Sequence, residues 1–140
     1  MSESIDASGA PQPVGAYPHA RRVGNLLFLS GLGPRVPGTD EVPGNVYDAD
    51  GKVVDYDIER QTRQLVANLD AVLAASGASR SDLVDITVFL TDMARDFMRF
   101  NAIYAECFSE ARPCRTTVEI NALPTQIAVE FKCIASLDPQ

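Results

Sequence analysis

The spacing of apolar residues predicts two helices in this chain. The first follows Asp57, which suits an N-cap, and its apolar positions recur at helical spacing until Gly77 ends the run. The second covers residues 94 to 109 and carries an apolar stripe. The stripe consists of Phe97, Phe100, Tyr104, Cys107 and Phe108. A stripe of this kind is typical of a helix that packs on a core.

Alternation of apolar and polar residues predicts the strands. A turn at Gly24-Asn25 separates two strands near the N-terminus, and the second of them runs from Leu26 to Ser30. Further strands are predicted at 83–90, 115–121 and 126–136. The order β-β-α-β-α-β-β indicates an α/β sandwich with the helices on one face of the sheet. Since nothing in the chain covers the other face, we expect self-association.

Two segments fall outside this alternation. Residues 1–13 are small and polar with two prolines, which predicts a flexible tail ahead of a single domain at 14–140. Residues 32–56 are rich in Gly, Pro and Asp, and predict either a functional loop or a hairpin. Within them "DADG" resembles the start of a calcium loop, but Val53 stands where such a loop needs glycine. A hairpin is therefore favoured there.

The charge balance bears on the partners. The chain of 140 residues has a formal net charge of -7 and no basic run, which argues against a nucleic-acid partner. Its three cysteines form no C-x-x-C pair and no signal peptide precedes them, which favours a cytoplasmic location. No apolar run approaches the roughly 18 residues of a membrane span.

The sequence offers little to a metal or a cofactor. His19 is the only histidine, and it is expected to be a partly exposed strand residue rather than a ligand or a general base. The stretch "GLGPRVPG" has no helix after it and no Lys-Ser/Thr pair, which argues against a phosphate loop. The chemistry is therefore expected to need no cofactor and no metal.

Arg115 and Glu130 form the strongest candidate pair. Arg115 begins a strand of β-branched residues, while Glu130 lies between Val129 and Phe131 in the next strand. A short connection around Pro124 predicts that the two strands are neighbours. An arginine can bind a carboxylate and a glutamate can act as a general base. The alternative is that both are solvent-facing strand residues, with Arg115 beside Glu119.

At these residues the chain resembles the Rid (YjgF) family of enamine/imine deaminases. The matching stretches span nearly the whole sequence, in the same order: "GAYPHARRVGNLLFLSG", "VANLDAVLAASGAS", "ITVFLTDMARDFMRFNAIYAECF", "RPCRTTVEINALP" and "AVEFKCIA". The resemblance implies a chorismate-mutase-like α/β sandwich that forms a homotrimer. Its sheets would line a central barrel, and its active sites would lie in clefts between subunits.

The resemblance also assigns roles to residues. It implies that Arg115 binds the substrate carboxylate and that Glu130 positions the attacking water. The remaining substrate-binding positions it implies are Tyr17, Ser30, Gly31, Asn101 and Thr117. Many relatives carry a cysteine at the position of Thr117, so a thiol there is not required. Cys114 does not replace it, because it lies on the opposite side of the strand.

Within the family, the long 32–56 segment and the residues before it are most similar to deaminases of 2-aminomuconate. This implies hydrolysis to 2-hydroxymuconate (4-oxalocrotonate) and ammonia in bacterial degradation of aromatic compounds. Arg35 and Lys132 are candidates for binding the second carboxylate. The alternatives are a general deaminase of 2-iminopropanoate-type substrates, and a non-enzymatic module that binds small carboxylates.

Overall fold

The computed structural model describes residues 2 to 137. Two helices pack on one face of a six-stranded sheet. The strands of this sheet are β1 (Ser2–Ile5), β2 (Ala20–Val23), β3 (Leu26–Leu29), β6 (Leu83–Leu90), β7 (Cys114–Glu119) and β8 (Val129–Ser136). Their order across the sheet is β1-β2-β3-β8-β6-β7. The α/β sandwich predicted from the alternation of apolar and polar residues is confirmed.

Both helices have the ends that the sequence predicts. Helix α1 (Ile58–Ala75) begins after Asp57, whose side chain accepts hydrogen bonds from the backbone N–H groups of Glu59 and Arg60. It stops before Gly77, which has a φ of 73°. Helix α2 (Met93–Phe108) begins after Asp92, which accepts a bond from the Arg95 N–H in the same manner.

The core lies between these helices and the sheet. The stripe on α2 supplies Phe100 and Phe108, both at most 2% exposed, and they pack edge-on or tilted against Phe131 of β8. The buried residues of β8 alternate with partly exposed ones, as do those of β6. The side chains at even positions of β8, including Glu130, therefore point to the face that no helix covers.

That second face is apolar in part, and none of the elements formed by residues 2 to 137 covers it. Val23 and Leu26 are 47% and 44% exposed, and both belong to strands of the six-stranded sheet. Soluble sheets with one helical layer usually place polar residues on the open face, so exposed apolar side chains there favour a protein partner.

The 32–56 segment contains a hairpin, as the "DADG" pattern predicts. Strand β4 (Val46–Tyr47) pairs antiparallel with β5 (Val53–Asp55) in a separate two-stranded sheet. The Asp48 carboxylate accepts hydrogen bonds from the N–H groups of Asp50 and Lys52, and Gly51 takes a φ of 78°. These bonds stabilise the turn without an ion.

The prediction of a tail at residues 1–13 is wrong in its first part. Residues Ser2–Ile5 form β1, which pairs antiparallel with β2 at the edge of the sheet. Further along the same segment, Ala7 and Ala10 are each 2% exposed and belong to the core. The polar sequence of β1 hid it, because an exposed edge strand has no apolar alternation.

His19 is also placed differently from the prediction. It is 5% exposed rather than partly exposed, and it precedes β2. Its Nδ1 accepts a hydrogen bond from the Ala7 N–H at 2.9 Å, and Nε2 lies 2.7 Å from the Pro11 carbonyl oxygen. A neutral ring with the proton on Nε2 satisfies both contacts. His19 therefore fastens the N-terminal segment to the sheet.

Candidate functional site

The predicted site residues form two separate clusters. Arg115, Asn101 and Thr117 lie where β7 meets α2. Tyr17, Ser30, Gly31 and Glu130 lie around the end of β3 and the start of β8. The sequence predicted that the strands of Arg115 and Glu130 are neighbours, and this is wrong, because β6 lies between β7 and β8. Helix α2 links β6 to β7 as a parallel pair, and β8 pairs antiparallel with the other edge of β6.

The two clusters also lie on opposite faces of the sheet. Arg115 is paired with the buried residue Ile86 and contacts α2, which places its side chain on the helical face. Glu130 is paired with Phe89 and alternates with buried Val129, which places it on the open face. Two strand spacings alone separate the two backbones by about 10 Å. One chain therefore cannot close both groups around one small substrate.

The Arg115 cluster consists of a guanidinium above an aromatic surface. The Arg115 Nη1–H donates to Asn101 Oδ1 at 2.7 Å, and the guanidinium carbon lies 4.6 Å from the centre of the Tyr104 ring. The rings of Phe97 and Phe100 lie 5.8 and 6.0 Å away. Within the part of the chain that the structure describes, Arg115 forms no ion pair. It is thus oriented, partly desolvated and able to bind an anion.

Two buried hydroxyls accompany Arg115 and have no hydrogen-bond partner among residues 2 to 137. They are Thr117 Oγ1 and the phenol oxygen of Tyr104. Thr117 is paired with buried Val88 and so shares the face of Arg115. Burial raises the pKa of Tyr104 to about 12, so its hydroxyl remains a neutral donor. Unpaired buried hydroxyls are costly, and next to a guanidinium they are suited to a ligand oxygen.

Tyr104 was not among the predicted site residues, because its place in the apolar stripe assigned it to the core. The missed signal is its spacing: Phe97, Asn101 and Tyr104 stand at i, i+4 and i+7 on α2 and so share one side of the helix.

The second cluster surrounds the carboxylate of Glu130. Leu32 exchanges both backbone hydrogen bonds with Phe131, each at 2.9 Å, and this lays Gly31 against Glu130. A Cβ atom on Gly31 would stand 3.0 Å from Oε2 of Glu130, so any side chain at this position would displace the carboxylate by a few tenths of an ångström. Tyr17 and Gly31 line a small pocket together with Glu130.

The Glu130 carboxylate is held in a desolvated position. Burial raises its pKa above the usual range of a glutamate, and among residues 2 to 137 no cation or hydrogen-bond donor is paired with it. A raised pKa brings a carboxylate closer to the value that suits proton transfer near neutral pH.

Tyr17 and Ser30 have different parts in this cluster. Tyr17 is 42% exposed, and its hydroxyl accepts a weak bond from the Val14 N–H at 3.3 Å. The Ser30 hydroxyl donates to the Pro18 carbonyl at 2.7 Å, which ties the end of β3 to the segment before β2. Ser30 is thus already engaged as a donor, whereas the Tyr17 hydroxyl donates to no group among residues 2 to 137 and can donate to a ligand.

A separate cavity of about 350 Å³ contains none of the predicted site residues. It lies beside the β4–β5 hairpin and is lined in part by Lys52, Asp55, Tyr56 and Arg95. Its arginine is already neutralised, because Arg95 pairs with Asp55 at 2.7 Å and stacks on Tyr56 at 3.9 Å. We therefore assign the candidate site to the two clusters rather than to this cavity.

The described residues contain no group of three or more His, Cys, Asp and Glu that could hold a metal ion. A search of the same residues found no helix with the length and apolar character needed to cross a bilayer.

The sequence profile described as Endoribonuclease L-PSP matches residues 7 to 137 of this chain. A RutC family protein of Pyrococcus horikoshii is 40% identical over 135 residues, which cover 96% of this chain and 98% of the relative. The chloroplastic Reactive Intermediate Deaminase A of Arabidopsis thaliana is 38% identical, over 96% of this chain and 66% of the relative. Among solved structures, Escherichia coli TdcF with bound serine is 31% identical, with a TM-score of 0.81 over 96% of this chain and 98% of that one.

Proposed function

The chain belongs to the Rid (RutC) family, and on that premise we propose that it is a hydrolytic deaminase of enamine and imine acids. The observation that carries the proposal is the complementary character of the two clusters. Among the described residues, one cluster presents an oriented arginine without a carboxylate partner, and the other a desolvated glutamate without a cation partner. Together they supply a carboxylate anchor and a general base.

Because one chain holds these groups on opposite faces of its sheet, the proposed site needs a second copy. We propose a homotrimer whose open sheet faces line a central barrel, with the Glu130 cluster of each subunit meeting the Arg115 cluster of the next. The exposed apolar residues Val23 and Leu26 support such burial of the open face. A ring of three subunits would then contain three equivalent sites.

Arg115 would bind the carboxylate next to the reacting carbon. Asn101 accepts one of its N–H bonds and so fixes the plane of the guanidinium, leaving other N–H groups for a bidentate contact. This contact also withdraws electron density from the adjacent C=N carbon. The neutral hydroxyls of Thr117 and Tyr104 can donate to the same carboxylate or to its neighbour.

Glu130 would act on the water. The imine nitrogen enters protonated, and the Glu130 carboxylate takes a proton from water as the water oxygen bonds to the iminium carbon, which gives a neutral carbinolamine. The glutamic acid then returns that proton to the nitrogen. The regenerated carboxylate takes the hydroxyl proton as the carbonyl forms, the C–N bond breaks, and ammonia leaves with the electron pair of that bond. The imine is already an electrophile, so this sequence requires orientation and proton transfer but no cofactor.

For the substrate, we propose 2-aminomuconate, a conjugated six-carbon dicarboxylate that would give 2-hydroxymuconate (4-oxalocrotonate) in the degradation of aromatic compounds. The long 32–56 segment, which contributes Arg35 to the walls of the Glu130 pocket, supports it. A second candidate is 2-iminopropanoate, a smaller imine acid. The name of the Arabidopsis thaliana relative, Reactive Intermediate Deaminase A, supports a reactive substrate of this general type.

An RNA substrate, which the description of the family profile suggests, is disfavoured by charge. Asp and Glu total 19 against 12 Lys and Arg in this chain. Phosphate contacts depend on clustered cations, and this balance opposes them.

The test is release of ammonia from 2-aminomuconate and from 2-iminopropanoate, each generated in the assay. Arg115→Ala and Glu130→Gln should each lower kcat/KM by more than about tenfold, since each removes a charge that contacts the reacting groups. Arg99→Ala, which removes an exposed arginine of α2, is the control and should retain activity. Saturable binding without turnover of either compound would instead indicate a module that binds carboxylates.

A further inference from the structure

Arg35 stands at the junction of the Glu130 pocket and a larger cleft. It lines the small pocket that contains Glu130, Tyr17 and Gly31. It also lines an adjoining cleft of about 370 Å³, together with Asp40, Tyr47 and Thr125. A molecule with one end at Glu130 and a chain several atoms long would therefore pass the Arg35 side chain on its way into the cleft.

The backbone that carries Arg35 is fixed by helix α1. The side chain of Asn68 is 1% exposed, and its Nδ2 group donates to the carbonyl oxygens of Gly33 and Arg35, both at 2.8 Å. The amide of Gln64 in turn donates to Asn68 Oδ1 at 3.0 Å. A buried amide with all of these bonds made is a rigid support, so the position of Arg35 is determined before a ligand arrives.

The guanidinium of Arg35 keeps most of its donors for a ligand. One Nη2–H donates to the Gln12 carbonyl oxygen at 2.6 Å, and within residues 2 to 137 no carboxylate lies within ion-pair distance. A guanidinium has five N–H donors. Asp40 also lines the larger cleft, and its negative charge would repel an anion there. The positive charge of Arg35 offsets that repulsion and allows an anion to bind.

Lys132, the other cation considered for a second carboxylate, is less suitable. Its Nζ donates to the Leu29 carbonyl at 2.5 Å, which directs the ammonium to the backbone of β3. It lines neither the Glu130 pocket nor the larger cleft.

We propose that Arg35 is the specificity residue that selects dicarboxylate substrates, by binding the carboxylate remote from the reacting carbon. The inference rests on the proposed function, because it takes the reacting carbon to lie beside Glu130. The contact is present both before and during the reaction, so its loss should raise KM for the dicarboxylate with little change in kcat.

The first test measures binding without chemistry. Muconate and sorbate share a conjugated six-carbon chain, but only muconate has a second carboxylate. Titration calorimetry with the full chain should give tighter binding of muconate. Arg35→Met should weaken muconate binding roughly ten- to one-hundred-fold relative to sorbate. Arg35→Lys should restore part of the difference, because it retains the charge.

Two further variants separate this role from a structural one. Arg60→Met removes an exposed arginine of α1 and should leave the ratio of the two affinities unchanged. Asp40→Asn removes the competing negative charge and should tighten muconate binding. Equal affinity of the parent for muconate and sorbate would overturn the inference, as would an equal loss of both affinities in Arg35→Met and Arg35→Lys.

The same variants distinguish this inference from the proposed function. If the parent prefers muconate through Arg35 but releases no ammonia from either substrate, the deaminase proposal fails and the dicarboxylate contact stands. If the parent deaminates both substrates and Arg35→Met lowers kcat/KM for both by the same factor, the deaminase proposal stands and the selective role of Arg35 is wrong.

Discussion

Arg115 and Glu130 lie on opposite faces of one sheet, in strands that β6 separates. Each is nevertheless suited to one half of the same reaction, since within residues 2 to 137 Arg115 has no carboxylate partner and Glu130 has no cation partner. The proposed active site therefore depends on association of the chains.

Mixing two inactive variants should restore activity. If each site takes Arg115 from one subunit and Glu130 from the next, trimers reassembled from equal amounts of Arg115→Ala and Glu130→Gln chains regain both groups in about one quarter of their sites. Ammonia release after unfolding and refolding of the mixture measures this. Refolding each variant alone is the control, and a mixture no more active than the controls would contradict a shared site.

We expect the ionised Glu130 carboxylate to destabilise the folded protein at neutral pH, although the proposed reaction requires it. Its pKa is raised by burial in the folded protein, so its contribution to stability is greatest below the unfolded pKa and is lost as pH rises through the folded one. Glu130→Gln should therefore raise Tm at neutral pH, with a gain that shrinks toward acidic pH. An unchanged difference in Tm from pH 7 to pH 4 would contradict this assignment.

The same shift predicts the pH profile of the parent enzyme. A general base must be ionised, so kcat/KM should fall on the acid side at a pH above the usual range of a glutamate, and Glu130→Gln should lack that limb.

Gly31→Ala should impair catalysis more than folding. The added Cβ would meet Glu130 at 3.0 Å, and the flexible carboxylate end can move aside, which displaces the base. We expect a loss in kcat/KM of about tenfold or more with a small change in Tm. Gly9→Ala is the matched control, because its nearest new contact, with Ala71, is an ordinary 3.5 Å. Equal kinetics in the two variants would argue that the position of Glu130 is unimportant.

Loss of the hydroxyl should lower the free energy of unfolding clearly at Tyr56 and little or not at all at Tyr104. The Tyr56 hydroxyl donates to the carboxylate of Asp96 at 2.5 Å, and Asp96 is 1% exposed, so Tyr56→Phe should cost about 1–3 kcal/mol in the free energy of unfolding. The buried hydroxyl of Tyr104 has no hydrogen-bond partner in the described part of the chain, so Tyr104→Phe should cost less than about 0.5 kcal/mol or stabilise.

Urea unfolding at one protomer concentration measures both changes. In the assay, Tyr104→Phe should raise KM. A larger loss of stability in Tyr104→Phe than in Tyr56→Phe would show that the hydroxyl of Tyr104 has a structural partner.

The sequence predicted most of the strands, but it did not predict the order of the strands in the sheet. Helix-end signals placed Asp57 and Gly77 correctly, and the alternation of apolar and polar residues, which depends on burial, located strands β6 and β8. It could not show that β6 separates β7 from β8, because the order of strands depends on the crossover through α2 and leaves no period in the sequence. His19 was misjudged for a related reason: its two backbone partners, at Ala7 and Pro11, lie in a segment without apolar pattern.

The two hydrogen bonds from Asn68 have a consequence for engineering this protein. They fix the backbone of the loop that carries Arg35 to helix α1. A mutant library confined to residues 33–36 would therefore change side chains while the loop backbone stays in place. Substitution at Asn68 would instead remove the two hydrogen bonds that hold the loop backbone, and would alter which molecules fit the Glu130 pocket and the adjoining cleft. If Arg35 selects the substrate as proposed, Asn68 offers a way to change substrate range from a helix that lines neither the Glu130 pocket nor the larger cleft.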